Sequence, residues 1–103
     1  MIRVFIVDPH DLVRMALEKR LATAVGLDII SGTGEYADAI QKAQRLRPDV
    51  ILLESKAPDA MKTLKELAQT LPQSAIIILT SYPDSYEEDA TLQLGATRYY
   101  SRR

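Results

Sequence analysis

Apolar and polar positions along the 103-residue chain follow two alternating kinds of order. Apolar runs at Val4–Val7, Leu27–Ile30, Val50–Leu53 and Ala75–Leu79, with a shorter one near Tyr99 and Tyr100, have the form of strands buried on both faces. Between these runs the apolar residues recur at helical spacing. Leu12, Met15, Ala16 and Leu21 mark a first helix from about Asp11, and Ala39, Ile40, Ala43 and Leu46 mark a second, stopped by Pro48. A third helix, from Ala60 to Leu71, carries Leu64, Leu67 and Leu71 and ends before Pro72. A fourth opens on a capping-box pair, Ser85 and Glu88, carries Ala90 and Leu92, and stops at Gly95. The resulting order, βαβαβαβαβ, predicts a parallel sheet with right-handed crossovers and helices on both faces. No repeat, linker or low-complexity stretch interrupts it.

Composition narrows the range of functions. With 47% hydrophobic and 26% charged residues, the chain fits one small domain with a modest core. Its net charge is −1, and Lys and Arg are scattered, so no nucleic-acid or membrane-surface binding is expected of this chain itself. The absence of cysteine removes disulfides, thiolate metal sites and Cys nucleophiles, and is compatible with a reducing compartment. The amino-terminal apolar run is too short for a signal peptide, and no segment approaches a membrane span. A cytoplasmic location is the expectation.

Candidate chemistry begins where the first strand ends. Asp8 stands at a strand's carboxyl end, the place where open α/β sheets bind ligands, and Pro9 follows it. His10 is the only histidine, which excludes a multi-histidine metal site and suits a surface loop. The Gly32–Gly34 "GTG" segment is too short for a phosphate cradle and is expected to form a strand-to-helix turn. On the terminal strand Tyr99 and Tyr100 alternate, so one should pack inward and the other face solvent or a partner.

Four stretches, "IRVFIVDPHDLV", "RPDVILLESKAP", "AIIILTSY" and "LGATRYYSRR", together resemble a response-regulator receiver domain, most closely the receivers of NarL/FixJ (LuxR-type) transcription regulators. The resemblance spans nearly the whole chain. It implies a flavodoxin-like, CheY-like fold: a five-stranded parallel sheet in the order 2-1-3-4-5 with helices on both faces. In that family an acidic pair after the first strand holds Mg²⁺, and an Asp ending the third strand accepts a phosphoryl group. A Thr or Ser ending the fourth strand senses it, and a Lys after the fifth pairs with it. Here Asp8 matches the first acid, but the second position is Pro9. The acceptor position falls on Glu54 where the family has Asp, Thr80 is retained, and the lysine position, three after the aromatic Tyr99, is Arg102.

These departures have physical consequences. Mg²⁺ demands near-octahedral oxygen ligation, and Pro9 supplies no side-chain oxygen. Glu54 is one methylene longer than Asp, which carries its carboxylate about 1.5 Å further and out of line for a phosphoryl transfer that depends on positioning. Two carboxylates about 5 Å apart repel by roughly 3 kcal/mol at an effective dielectric near 20, and a metal normally offsets this. Lys56 and Arg102 are the cations expected to offset it here. The acidic pocket of Asp8, Pro9 and Glu54 is therefore expected to form a metal-free salt-bridge network with Lys56 and Arg102, with Thr80 as a hydrogen-bond partner and no cofactor.

Two functional readings follow. In the first, the chain is a non-enzymatic pseudo-receiver acting by protein contacts; in the second, it still accepts phosphate, with Glu54 or another residue as an unusual acceptor. A remote alternative is a cobalamin-binding module, because Asp8-Pro9-His10 fits the start of D-x-H-x-x-G, but Val13 stands where its glycine belongs. Receivers normally add a fifth helix after the fifth strand. Its absence before Arg103 predicts a piece of a longer regulator whose remaining part includes a helix-turn-helix DNA-binding domain, so that DNA is a partner only through that part. A sensor kinase or regulatory protein is a further expected partner. The bare sheet face bordered by the first helix and fifth strand is expected to drive self-association.

Overall fold

The computed structural model describes residues 1–102, which alternate regularly between strands and helices. The order is β1 (Ile2–Val7), α1 (Asp11–Ala22), β2 (Leu27–Thr33), α2 (Tyr36–Leu46), β3 (Val50–Glu54), α3 (Ala60–Thr70), β4 (Ala75–Thr80), α4 (Ser85–Gln93) and β5 (Arg98–Ser101). The strands form one parallel sheet with helices on both faces, as the alternation predicts, in the order β2-β1-β3-β4-β5 that the resemblance implies.

Strand alternation divides the core. Phe5, Val7, Ile51, Leu53, Ile76 and Ile78 project to one face, where they are buried with Tyr36, Ala39 and Ala43 of α2 and Leu64 and Leu67 of α3. Each fully buried Leu or Ile there contributes roughly 2 kcal/mol of transfer free energy. The other face is more sparsely covered. Val4 and Ile6 are buried, but Leu52, Ile77 and Leu79 are only half-buried and Tyr100 is exposed.

The outer elements depart from the sequence expectation. β2 and β5 are edge strands, so apart from Thr33 their residues are half-buried or exposed instead of enclosed on both sides. β2 also runs on through Gly32 and Thr33, which pair with Ile6 and Val7 past a register shift, leaving only Gly34 of the "GTG" segment in the turn. α1 forms where its periodicity places it but contributes no buried residue, and Leu12 is 82% exposed. The fourth helix is capped by Asp84, not by Ser85: the Asp84 carboxylate accepts the Tyr86 N–H at 3.1 Å, and Ser85 is already helical. Gly95 ends that helix with φ 116°, and a Cβ there would lie 2.5 Å from the Ala68 Cβ, so both backbone conformation and contact with α3 require glycine.

Register then fixes the site. Val7 pairs with Leu53, Glu54 with Leu79 and Thr80 with Ser101, so Asp8, Glu54, Thr80 and Arg102 emerge together at the carboxyl edge of four adjacent strands.

Candidate functional site

Asp8 and Glu54 are 1% and 4% exposed, and one guanidinium serves both. Arg102 Nη2 donates to Asp8 Oδ2 and lies 3.2 Å from Glu54 Oε2. β5 delivers this side chain: the Arg102 N–H continues the ladder by donating to the Thr80 carbonyl at 2.9 Å. The remaining carboxylate oxygens are held by loop backbone, since Glu54 Oε1 accepts the Lys56 N–H at 2.7 Å and Asp8 Oδ1 accepts the His10 N–H at 2.9 Å. The His10 ring adds a contact from Nδ1 to Asp8 Oδ1 at 3.1 Å. Burial pushes the Glu54 carboxyl above its ordinary value, against the opposing pull of the Lys56 N–H and the Arg102 charge.

Two further side chains brace this pocket from behind. The Tyr36 hydroxyl, brought in by the first turn of α2, donates to the Glu54 carbonyl at 2.5 Å and reaches the Val7 carbonyl at 3.4 Å, tying β1 to β3. Burial, then the charges of Asp8 and Glu54, push its phenol above the usual range. Arg14 Nη1 donates to the Asp8 carbonyl at 2.7 Å and passes over Gly34, where a Cβ would sit 2.8 Å from that nitrogen. A larger residue at Gly34 would therefore push the Arg14 guanidinium aside from the Asp8 carbonyl.

Lys56 and Thr80 do not join the carboxylates as expected. The Lys56 ammonium turns to Glu87 of α4, Nζ to Oε2 at 2.8 Å, and only its backbone N–H reaches the pocket. The physical reason is solvation: paired with Glu87, the Lys56 side chain stays 36% exposed and its head keeps part of its hydration. Thr80 Oγ1 accepts the Tyr82 N–H at 3.2 Å, closing the β4–α4 loop. Glu87 also accepts the Ser55 hydroxyl at 2.5 Å and the Tyr99 hydroxyl at 2.7 Å, so three donors converge on it. Burial pushes Glu87 up, but the hydrogen bonds from Lys56, Ser55 and Tyr99 outweigh it and hold the carboxyl below its ordinary range. Tyr99 is half-buried against the core, with its phenol pushed up to about 12 by burial and by Glu87, while Tyr100 faces outward. Pro9, His10, Val13, Glu54, Tyr82 and Arg102 are among the residues lining a cleft of about 460 Å³ above this arrangement.

Residues 4–102 match the response regulator receiver domain family. The chain belongs to that family. It is 31% identical over 104 residues to the response regulator GacA of Pseudomonas viridiflava, covering 99% of this chain and 49% of that protein. It is 32% identical over 101 residues to the DNA-binding transcriptional activator DevR/DosR of Mycobacterium tuberculosis, covering 96% of this chain and 46% of that protein. The chain thus spans about half the length of the curated relatives it matches. A two-component response regulator of the LuxR family from Aurantimonas sp. SI85-9A1 superposes with a TM-score of 0.92 at 18% identity, over 99% of this chain and 74% of that one. The response regulator domain of Thermotoga maritima CheB gives 0.89 at 23% identity, over 99% and 78%.

This receiver does not fit the family's Mg²⁺. Pro9 offers no side-chain oxygen where the second acid belongs, and a guanidinium already takes the space between the two remaining carboxylates. Among the described residues no group of three or more His, Asp and Glu side chains is arranged to hold a metal. The residues of this receiver site that the sequence alone does not single out include Arg14, Tyr36 and Glu87. Arg14 had a visible signal, since Asp11 and Glu18 flank it at i−3 and i+4 and both pair with it. Tyr36 and Glu87 had none, because their partners lie on other elements.

Proposed function

We propose that this chain is an atypical receiver module of a bacterial transcription regulator, acting by protein–protein contacts without Mg²⁺-dependent aspartyl phosphorylation and without an enzymatic activity of its own. The observation that carries this reading is Arg102, whose one guanidinium nitrogen engages both Asp8 and Glu54 where metal and phosphoryl chemistry need open carboxylates. Family membership and the names of relatives such as DevR/DosR support a role in transcription regulation, with DNA contacted through a separate domain and a sensor kinase or regulatory protein as partner. Among the described residues no helix is long and apolar enough to cross a membrane, in keeping with a cytoplasmic role.

Incubation with acetyl phosphate and Mg²⁺ followed by intact-mass measurement is expected to show no added phosphoryl group. A clean gain of one would favour the reading in which Glu54 or a neighbour is an unusual acceptor. The module is also proposed to self-associate through the face of α1 and β5, on which Leu12 and Met15 are 82% and 59% exposed and Tyr100 is exposed by half. Light scattering at micromolar concentration is expected to show a dimer, and a stable monomer would refute it.

A further inference from the structure

Glu87 is the point where three separately encoded segments meet. Its carboxylate comes from the first turn of α4; Ser55 and Lys56 come from the loop after β3, and Tyr99 comes from β5. The Tyr99 hydroxyl takes part twice, donating to Glu87 and accepting the Asp84 N–H at 3.1 Å, so the N-terminus of α4 is fastened to β5 from two directions. Little else holds that helix. Thr91 is the only one of its residues that is buried, and Tyr86 is 85% exposed.

We propose that Glu87 is an internal clamp that sets the surface formed by α4 and β5, holding Tyr99 inward and the β3–α3 loop in place through its carboxylate. The anion is thus supplied from within the chain, and the surface offered to a partner does not wait on a group bound in the pocket. The physical case rests on three charge-assisted bonds at 2.5 to 2.8 Å to a side chain that is 13% exposed, in a helix with almost no apolar anchor. This inference stands apart from the phosphorylation question: it concerns what fixes α4 and Tyr99, and it holds whichever way the acetyl phosphate experiment falls.

Hydrogen exchange of the whole chain tests it, comparing the wild type with Glu87→Ala, Glu87→Gln and Tyr99→Phe. Removing the carboxylate should raise exchange at the Ser85–Gln93 amides by about tenfold or more, the scale set by losing hydrogen bonds to a charged group. The central strands should keep their protection. Glu87→Gln, nearly the same in shape, should raise α4 exchange by a smaller factor, and Tyr99→Phe should do so chiefly at the start of the helix. Wild-type exchange in α4 for both Glu87 variants would overturn the proposal, as would a loss of protection spread evenly over the sheet in Glu87→Gln.

Discussion

Glu54 and Glu87 both leave most of their water behind, yet the protein treats their charges in opposite ways. Glu54 shares one guanidinium with Asp8, so two buried carboxylates face one cation, and burial raises its carboxyl above the ordinary value. Glu87 has an ammonium and two hydroxyls to itself, and these hold its carboxyl below that value. The difference lies in donor count and access. The pocket is a strand-end site made of backbone turns and one borrowed cation, whereas the clamp is a loop, helix and strand arrangement open enough to keep a lysine partly hydrated. Charge at the first site is tolerated; at the second it fastens elements together.

Cutting the borrowed cation is the harshest way to break this contrast. Arg102→Met leaves Asp8 and Glu54 buried with no guanidinium, and breaking such a pair from one side costs about 3 kcal/mol or more. Urea unfolding at neutral pH should show this as a lower midpoint with an unchanged slope. Most of the loss should be recovered when Asp8→Asn is added, because the double variant removes one of the two orphaned charges. A single variant as stable as the wild type would mean that solvation by water, not the Arg102 charge, stabilises the two carboxylates.

The sequence was most informative where burial alone dictates structure. β1, β3 and β4 are central strands, paired along both edges, and their apolar runs mark them clearly. Edges were less legible: β2 extends through glycine and threonine because it only has to pair with β1 along one side. The α4 cap lies one residue before the expected Ser85, since Ser85 and Asp84 are both capping types and only geometry chooses between them. Among site residues, Asp8, Glu54 and Arg102 come together because each terminates or follows a strand in known register. Lys56 pairs with a different carboxylate from the one its place in the β3–α3 loop suggests. Its true partner, Glu87, is 31 positions away on a helix whose rotation about its axis no spacing rule gives, and Tyr36 bonding to a carbonyl 18 positions away is equally silent in sequence.

The smallest expected effects sharpen the contrast by sign. At Glu54 the folded state binds its proton more tightly than the unfolded chain does, so stability falls as pH rises from the ordinary carboxyl value of 4.5 through the raised one. At Glu87 the folded state binds its proton less tightly, so its contribution is complete above 4.5 and is lost as pH falls through the lowered value. Glu54→Gln keeps an acceptor for the Lys56 N–H and leaves Arg102 paired with Asp8, so at neutral pH it should stay within about 1 kcal/mol of wild type. Its stability should be flatter than wild type above 4.5, whereas Glu87→Gln should keep the wild-type slope there and lose only the acid-side decline. Urea midpoints measured across the acid and neutral range decide the matter. If Glu54→Gln removed the acid-side decline instead, the two carboxylates would have exchanged roles, and the view of a tolerated charge beside a fastening one would fail.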